Sequence, residues 1–252
     1  MKYAIIGGTG VYSAGEGRST SVETEYGTVE VDVLDFDGKE VAFISRHGKD
    51  HSIPPHKINY RANMMALHEL GVRYIYGIVA VGSMNENYVP GDIVIANDFL
   101  DFTKTREHTY FTGGEHGVRH VEMSDPYCKN LRAKLSALAY NDGVKIAGEG
   151  VYVTAEGPRF ETAAEIRFMK MVGGDIVGMT NVPEVTLAKE LGMCYSAVGI
   201  ITNWCTGMTT EIVGHDIDAT MKDRKDTLTE LFLKVFNEGL DQEHCNCSDS
   251  LI

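Results

Sequence analysis

Apolar and polar positions alternate along the chain with two different periods, which divide it into strand-like and helix-like segments. Apolar runs of strand length occur at YAII, VEVDVLDF, EVAFIS, YIYGIVAVGS, GDIVIA, GVYVTAEGPRF, DIVG and CYSAVGIITN. The alternation of strands with helices predicts an α/β sheet protein. We expect one domain over residues 1–240, followed by a polar C-terminal tail over residues 241–252.

Helical periodicity appears first between about Lys57 and Gly71, and again from near Pro126 to about Tyr140. Between residues 104 and 124 the sequence KTREHTYFTGGEHGVRHVEMS is rich in glycine and histidine and has no clear period. We therefore predict a long loop there, and long loops in compact domains tend to be functional or interfacial.

Three more helices are predicted in the second half of the chain. In ETAAEIRFMKMVGG the spacing of Ala164, Phe168 and Met171 indicates the buried face of a helix that ends at glycine. Pro183 is placed as a first-turn proline of the next helix. The last helix is predicted from roughly Asp218 to Leu240. Its expected apolar face comprises Leu228, Leu231, Phe232, Val235 and Phe236.

Composition and charge narrow the class of protein. A hydrophobic content of 43% with strand-sized apolar runs is that of a globular enzyme, and it argues against disorder and against a membrane span. A net charge of −13 without a basic stripe disfavours nucleic-acid binding. The first residues lack the features of a signal peptide, so we expect a cytoplasmic protein without nucleic-acid or membrane partners.

Five cysteines are scattered along the chain, and their odd number argues against a disulfide framework. His244, Cys245 and Cys247 lie together in the tail sequence HCNC and offer three ligands for a metal. Three ligands on a polar terminal tail are too few for a firm zinc site, so we expect no metal and an unstructured or redox-active tail.

The candidate chemistry lies where predicted strands end. The first strand stops at IIGGTG, a turn whose backbone N–H groups can face an anion. It is neither a dinucleotide fingerprint, because Ser13 stands where the third glycine should be, nor a Walker loop. Arg46 and His47, Met179 and Thr180, and Asn203 follow other strands. Ligands collect at strand carboxyl ends, so these groups can converge on one pocket.

Two further groups of residues have both a functional and an ordinary interpretation. Arg46 and His47 offer donors for phosphate, or form a surface ion pair. In TAEGPRFETAAE, Phe160 can stack on a flat ring or can be a core residue. Glu161 there can accept hydrogen bonds from a ligand, or can be a carboxylate stabilised by a helix N-terminus.

Six motifs in order resemble the trimeric nucleoside phosphorylases, and specifically the 5'-methylthioadenosine phosphorylase branch. They are IIGGTG, RHG followed by PPHKINYRAN, PGDIVI, EGPRFET, VGMTNVPEVTLAKELG and TNWCTGM, and they extend from Ala4 to about Lys234. The resemblance implies a single domain with a twisted mixed central β-sheet flanked by helices, and a homotrimer or a dimer of trimers. It also implies phosphorolysis of a purine nucleoside to the free base and ribose 1-phosphate.

The resemblance assigns roles residue by residue. Phosphate would be held by Thr9, Arg46, His47 and Thr180, with backbone groups near Val79 and Ala80. The nucleoside would contact Met179 at the ribose, Phe160 at the base, Trp204 and Cys205 after the base-reading position, and His120 from a neighbouring subunit near the sugar's 5' end. Close methylthioadenosine phosphorylases carry Thr at the position of Val79, so one hydroxyl donor to phosphate is absent here.

Three positions predict which nucleoside is used. Adenine-specific members have Asp at the position of Asn203 and Ser at the position of Glu161, whereas members that cleave inosine and guanosine have Asn and Glu. An amide can donate to O6 and pair with a protonated N7, which matches a 6-oxopurine. His215 stands near the position that is apolar in enzymes for methylthio sugars, and it can bind a 5'-hydroxyl or can cap the last helix.

The sequence therefore predicts a 6-oxopurine nucleoside phosphorylase in which Asn203, Glu161 and His47 act on the reacting groups. Inorganic phosphate is its co-substrate, and neither a cofactor nor a metal is required. The alternatives are a methylthioinosine or methylthioadenosine phosphorylase, and a nucleoside-binding protein without turnover. Similar C-x-C tails in some thermostable archaeal relatives imply covalent bracing, and the role of Cys245 and Cys247 stays open.

Overall fold

The structure is a computed structural model, and it describes residues 1–9, 17–210 and 217–252. Nine strands form in these ranges: β1 Tyr3–Gly7, β2 Arg18–Thr24, β3 Gly27–Phe36, β4 Lys39–Ser45, β5 Tyr74–Ser83, β6 Ile93–Phe102, β7 Gly148–Ala155, β8 Ile176–Gly178 and β9 Cys194–Trp204. The five α-helices described are α1 Tyr60–Glu69, α2 Lys129–Asn141, α3 Ala163–Met171, α4 Asn181–Glu190 and α5 Ile217–Glu238.

Local signals explain where the helices begin and end. Asn59 caps α1 by accepting a hydrogen bond from the Ala62 N–H, and Gly71, with φ of +81°, follows its end. Thr162 caps α3 in a reciprocal capping box with Glu165. The predicted helices are all present, with ends that differ from the prediction by a few residues.

The strands form one mixed sheet in the order β2-β3-β4-β1-β5-β8-β7-β6-β9. Strand β9 also pairs in parallel with β5, so the five strands β5, β8, β7, β6 and β9 close into a ring. The predicted mixed sheet flanked by helices is confirmed, and the ring is a feature that the sequence does not reveal. Strand β5 belongs both to the ring and to the open part of the sheet, so it lies at the centre of the fold.

Hydrophobic side chains pack on both faces of this sheet. In β1, Ile6 belongs to one core cluster and Ile5 to the other, as the two-residue period of a strand requires. The first cluster contains residues of α1 and α4, and the second contains residues of α2 and α5. The apolar face predicted for the last helix is buried as expected: Leu228, Leu231, Phe232, Val235 and Phe236.

The predicted buried face of α3 is wrong, and one strand was not predicted. The buried residues of α3 are Ile166 and Met169, whereas Phe168 and Met171 of the predicted face are exposed. Apolar residues occur on both sides of this short helix, and the position of the sheet decides which side is covered. Strand β2 is not predicted because its sequence RSTSVET is polar, and its side chains are at most half-buried next to β3.

The C-terminal tail is packed against the domain, so the expectation of an unstructured tail is wrong. Ser250 is buried and donates its hydroxyl to the Lys189 carbonyl. The tail also pairs with the predicted loop, where His120 and Ile252 exchange two backbone hydrogen bonds of 3.0 and 2.7 Å. Within the described ranges, none of the helices is both long enough and apolar enough to span a bilayer.

Candidate active site

A cavity of about 420 Å³ opens where strands β1, β4 and β8 end beside β5. The residues predicted to bind phosphate all line it: Thr9, Arg46, His47, Val79, Ala80 and Thr180. So do five residues predicted to bind the nucleoside: Phe160, Glu161, Met179, Asn203 and Cys205. The fold therefore brings together residues that are up to 196 positions apart in the chain, from Thr9 to Cys205.

Strand registers explain this convergence. Strands β1 and β4 run parallel to each other and to β5, and the last pair between β1 and β5 joins Ile6 to Gly77. Strand β5 continues for six more residues, so Val79 and Ala80 are left uncovered to line the cavity. Strand β8 runs antiparallel to β5 and pairs Val177 with Gly82, so its end brings Thr180 back toward the same level. The strand ends converge as predicted, but one of these strands, β8, runs antiparallel to β5.

Arg46 is fully buried and is held by a carboxylate that sequence reasoning missed. Its guanidinium donates to both Glu184 oxygens at 2.5 and 2.8 Å, and its Nη1 donates to the Ile78 carbonyl at 3.1 Å. Glu184 also accepts a hydrogen bond from the Tyr195 hydroxyl. Burial lowers the pKa of Arg46 while the charge of Glu184 raises it, and the net shift is upward. Arg46 is thus a fixed donor whose charge is already compensated.

Gly8 allows this approach of the guanidinium to the first turn. A Cβ atom at Gly8 would lie 2.7 Å from the Ile78 carbonyl oxygen and 2.8 Å from Arg46 Nη1. Both distances are too short for a side chain, so only glycine fits between these groups. Thr9 follows immediately, half-buried in the cavity wall. The close contact explains the glycine at position 8 of IIGGTG, and Gly10 of this motif lies outside the described residues.

His47 is a neutral ring in this structure. Burial and the neighbouring charge of Arg46 lower the pKa of His47 to about 4. Its Nδ1 lies 2.8 Å from the Ile53 carbonyl oxygen, which can only accept, so Nδ1 carries the proton. Nε2 is then an acceptor, whereas the sequence interpretation treated His47 as a donor to phosphate. An Nε2 acceptor suits the protonated oxygen of hydrogen phosphate.

The lowered pKa of His47 predicts a pH dependence of stability. The unfolded chain binds a proton at His47 near pH 6.5, whereas the folded chain does so only near pH 4, so the free energy of unfolding should fall as the pH drops through that window. The loss is at most about 3 kcal/mol. Urea unfolding at about pH 7 and about pH 4.5 measures it. His47→Asn should reduce the difference and the exposed-site control His244→Ala should not; equal differences in all three proteins would contradict the assignment.

Thr180 is almost completely buried and precedes α4, whose backbone is non-helical at Val182, so the regular helix begins at Pro183. Thr180 lines the cavity, and its hydroxyl is a donor that can bind an oxyanion there. Met179 precedes Thr180 and lines the cavity beside it. Its sulfur would lie 2.6 Å from a Cβ atom at Gly157, so the EGPRF turn is in close contact with this side chain.

A flat ring and a free carboxylate lie farther along the wall. Phe160 is 47% exposed and lines the cavity, so it is not a core residue. Glu161 is 7% exposed, and its Oε1 has no hydrogen-bond partner among the described residues. Burial raises the pKa of Glu161. A buried carboxylate oxygen without a partner is costly, which indicates that a ligand supplies the missing donor.

Asn203 retains half of its hydrogen-bonding capacity. Its Nδ2 donates to the Trp204 carbonyl at 2.9 Å, and its Oδ1 accepts from the Thr202 hydroxyl at 2.8 Å. An amide has two donor hydrogens and two acceptor lone pairs, so one of each remains for a ligand. Asn203 pairs with Gly82 of β5, three residues beyond Val79, which places it about 10 Å along the strand from the anion end.

Two of the predicted residues that the structure describes are not part of this wall. Of the described residues, Trp204 and His120 do not line the cavity, and His120 is tied through its backbone to Ile252 in the tail. The suggested contact of His120 with a neighbouring subunit stays a prediction. His215 lies outside the described residues. Sequence reasoning also missed His51, whose ring lies 4.8 Å from that of His47 and which lines the cavity.

The cavity thus combines groups that can bind an oxyanion with groups that can bind a flat, hydrogen-bonding ring. Residues 2–237 match the sequence profile of the Phosphorylase superfamily, and the chain belongs to that family. Similar proteins within this family carry more specific names. The chain is 46% identical to the probable 6-oxopurine nucleoside phosphorylase of Moorella thermoacetica, over 98% of this chain and 97% of the relative.

The chain is also similar to a second curated relative and to a solved structure. The S-methyl-5'-thioadenosine phosphorylase of Pyrococcus abyssi is 42% identical over 99% of this chain and 97% of its own length. The solved structure of methylthioadenosine phosphorylase from Schistosoma mansoni in complex with adenine superposes with a TM-score of 0.88 at 32% identity, covering 96% of this chain and 93% of that one. The resemblance to nucleoside phosphorylases and the predicted fold are both confirmed.

Proposed function

We propose that the protein is a 6-oxopurine nucleoside phosphorylase, which cleaves inosine or guanosine with phosphate to the free base and ribose 1-phosphate. The observation that carries the proposal is the buried, unpartnered Oε1 of Glu161 in the same cavity as the Asn203 amide. Glu161 would accept from N1–H, which a 6-oxopurine has and adenine lacks. The similarity to the 6-oxopurine nucleoside phosphorylases of Moorella thermoacetica and Pyrococcus furiosus supports the same assignment.

The free groups of Asn203 match the other edge of a 6-oxopurine. Its remaining Nδ2 hydrogen would donate to O6, and its remaining Oδ1 lone pair would accept from N7 once that nitrogen is protonated. Phe160 would stack against the ring plane. The separation of about 10 Å between Val79 and Gly82 along β5 leaves space for the ribose, against Met179, between the base and the phosphate.

Phosphate would bind through neutral donors and one compensated arginine. The donors are the Thr9 and Thr180 hydroxyls, the remaining N–H groups of Arg46, and backbone groups near Val79 and Ala80. Because Glu184 already balances the charge of Arg46, hydrogen-bond geometry would contribute more than net charge. His47 would accept from the protonated phosphate oxygen and so orient the nucleophile.

Cleavage of the N-glycosidic bond places positive charge on C1' and negative charge on the purine. The phosphate anion would stabilise the positive carbon and then form a bond to C1' as the C1'–N9 bond breaks. The electron pair of that bond would stay on the purine, which takes up a proton from solvent at N7, while Asn203 and Glu161 would stabilise the departing base. Holding phosphate and sugar in a reactive arrangement contributes up to about 7–11 kcal/mol in favourable cases.

The assembly and the 5' end of the sugar complete the proposal. The active form would be a homotrimer or a dimer of trimers in the cytoplasm, in which His120 reaches a neighbouring site. The tie of His120 to the C-terminal tail would hold its segment in place for that contact. His215 would bind the 5'-hydroxyl, an assignment that rests on the sequence alone.

A substrate panel tests the function. With phosphate present, inosine and guanosine should release base faster than adenosine, methylthioinosine or methylthioadenosine, as chromatography of the free base measures. Glu161→Gln should lower kcat/KM for inosine by about 5- to 150-fold, since a carboxylate acceptor for N1–H is lost. Heat-treated protein and phosphate-free buffer are the controls.

Each alternative has its own outcome in the same panel. Faster cleavage of a methylthio nucleoside would assign the protein to the activity named for its Pyrococcus abyssi relative. Base release without phosphate would indicate hydrolysis. Binding of inosine without release of any base would leave a nucleoside-binding protein and overturn the proposal.

A further inference from the structure

Four of the five cysteines meet at one place outside the active-site cavity. Cys128 is the N-cap residue of α2, Cys194 begins β9, and Cys245 and Cys247 follow α5 in the tail. Their sulfur atoms all lie within 4.8 Å of one another. We call these four residues the cysteine cluster. The cysteines are scattered along the sequence, but the fold brings four of them together from three distant segments.

The ligand set differs from the one suggested by the tail sequence. His244 is exposed and does not belong to the cluster, while Cys128 and Cys194 supply the ligands that the tail alone lacks. The fifth cysteine, Cys205, lies in the wall of the active-site cavity. The three tail residues considered from the sequence offer one ligand fewer than a tetrahedral zinc site requires. The four thiols that the fold brings together from three segments supply the full number of ligands.

The spacing of the sulfur atoms fits a single tetrahedral ion. Zinc–sulfur bonds of about 2.3 Å place tetrahedral sulfur ligands about 3.8 Å apart. The sulfur atoms of Cys194 and Cys245 are 3.6 Å apart, and the other pairs fall within the same 4.8 Å limit. A cage of several metal atoms would hold its sulfur ligands farther apart, so the cluster has room for one ion.

The surroundings suit a structural site. Cys128, Cys194 and Cys247 are at most 2% exposed and belong to the apolar core cluster that contains α2 and α5. Gln242 Nε2 lies 3.4 Å from Cys194 Sγ and can donate to it, as outer groups of metal sites commonly do. Four sulfur ligands on one tetrahedral ion leave no open position for a substrate.

We propose that the four thiolates of the cysteine cluster bind one Zn²⁺ ion. Each thiol gives its proton to solvent as its sulfur forms a bond to the metal, and no electron is transferred. Thiolate sulfur is the ligand type that selects zinc among the common divalent ions. The ion joins the tail to α2 and β9, and the tail in turn pairs with residues 120–122 through Ser250 and Ile252.

Metal analysis of the full-length protein, purified under reducing conditions and loaded with Zn²⁺ alone, tests the proposal. Wild type should retain about one zinc per chain after desalting. With Co²⁺ in place of Zn²⁺ it should show sulfur-to-cobalt charge-transfer bands and the intense visible bands of a tetrahedral site. Chelation should lower Tm and speed hydrogen exchange at the Glu122 and Ile252 amides, which donate hydrogen bonds between loop and tail.

Variants of single residues test whether the zinc is bound by the cysteine cluster. Cys247→Ser and Cys245→Ser should each retain less than about one tenth of the wild-type zinc, whereas His244→Ala should retain all of it. Cys245 is only half-buried, so its variant is informative if Cys247→Ser fails to fold. Binding of zinc that survives both serine substitutions would overturn the proposal. So would a protein that, when purified without reductant, holds no metal and has one titratable thiol after denaturation, since that result means two disulfides.

Discussion

Glu184→Gln should lower the free energy of unfolding by about 3–5 kcal/mol and raise the KM for phosphate. The substitution keeps the size of the side chain but removes the charge that balances Arg46, whose side chain has no exposed surface. Removing one partner of a buried ion pair leaves the other charge uncompensated in a medium of low polarity. Chemical denaturation measures the first effect, and initial rates against phosphate concentration measure the second.

The exposed pair between Arg18 and Glu40 provides the matched control. Its side chains are 62% and 51% exposed, so Glu40→Gln should change stability by less than about 1 kcal/mol. If Glu184→Gln behaves like Glu40→Gln, the buried pair does not hold Arg46 in place. The double variant Arg46→Met with Glu184→Met separates the two roles, because it should regain stability by apolar packing while phosphate-dependent activity stays absent.

Asn203→Asp should shift the preference of the enzyme from inosine toward adenosine, with a change of about 10²- to 10³-fold in the ratio of their kcat/KM values. The carboxylate cannot donate to O6 of hypoxanthine, and it can accept from the 6-amino group of adenine. The measurement is base release from both nucleosides at saturating phosphate.

The surroundings of Asn203 determine how this variant behaves. Its Nδ2 now donates to the Trp204 carbonyl at 2.9 Å, and a carboxylate oxygen in that place would be repelled. The introduced carboxyl group must therefore turn or take up a proton, which makes the gain on adenosine depend on pH. Asn203→Ala is the control, since it should lose activity on inosine without gaining any on adenosine. An aspartate variant with unchanged inosine activity would remove Asn203 from base recognition.

Local patterns were sufficient for most of the architecture. The helical spacing of α5 predicts its buried face correctly, because a strong apolar pattern fits only one orientation toward a core. Weak patterns did not predict a buried face or a strand correctly where contact with a neighbouring element determines it. The apolar residues of α3 surround the helix, and only the packed sheet selects Ile166 and Met169. Polar β2 forms because β3 presents an edge with which it can pair.

Some residues of the candidate site could be found from the sequence, and others only from the structure. The sequence placed Arg46 and Asn203 at strand ends, and the registers of β5 and β9 bring them to one cavity. It did not reveal Glu184, because a glutamate in a helical stretch is usually exposed and nothing nearby in sequence marks it as the partner of Arg46. The neutral state of His47 also depends on burial and on a charge that only the fold supplies.

The sequence by itself determined the class of fold, the order of its elements and the chemical types of residue at the strand ends. These features depend on periodicity and on turn residues that act over a few positions. The tertiary structure decided the closure of the β5–β9 ring, the pairing of Arg46 with Glu184, the neutral state of His47, and the gathering of four cysteines from three segments. Such features depend on distances between residues far apart in the chain, and those distances exist only once the sheet has formed.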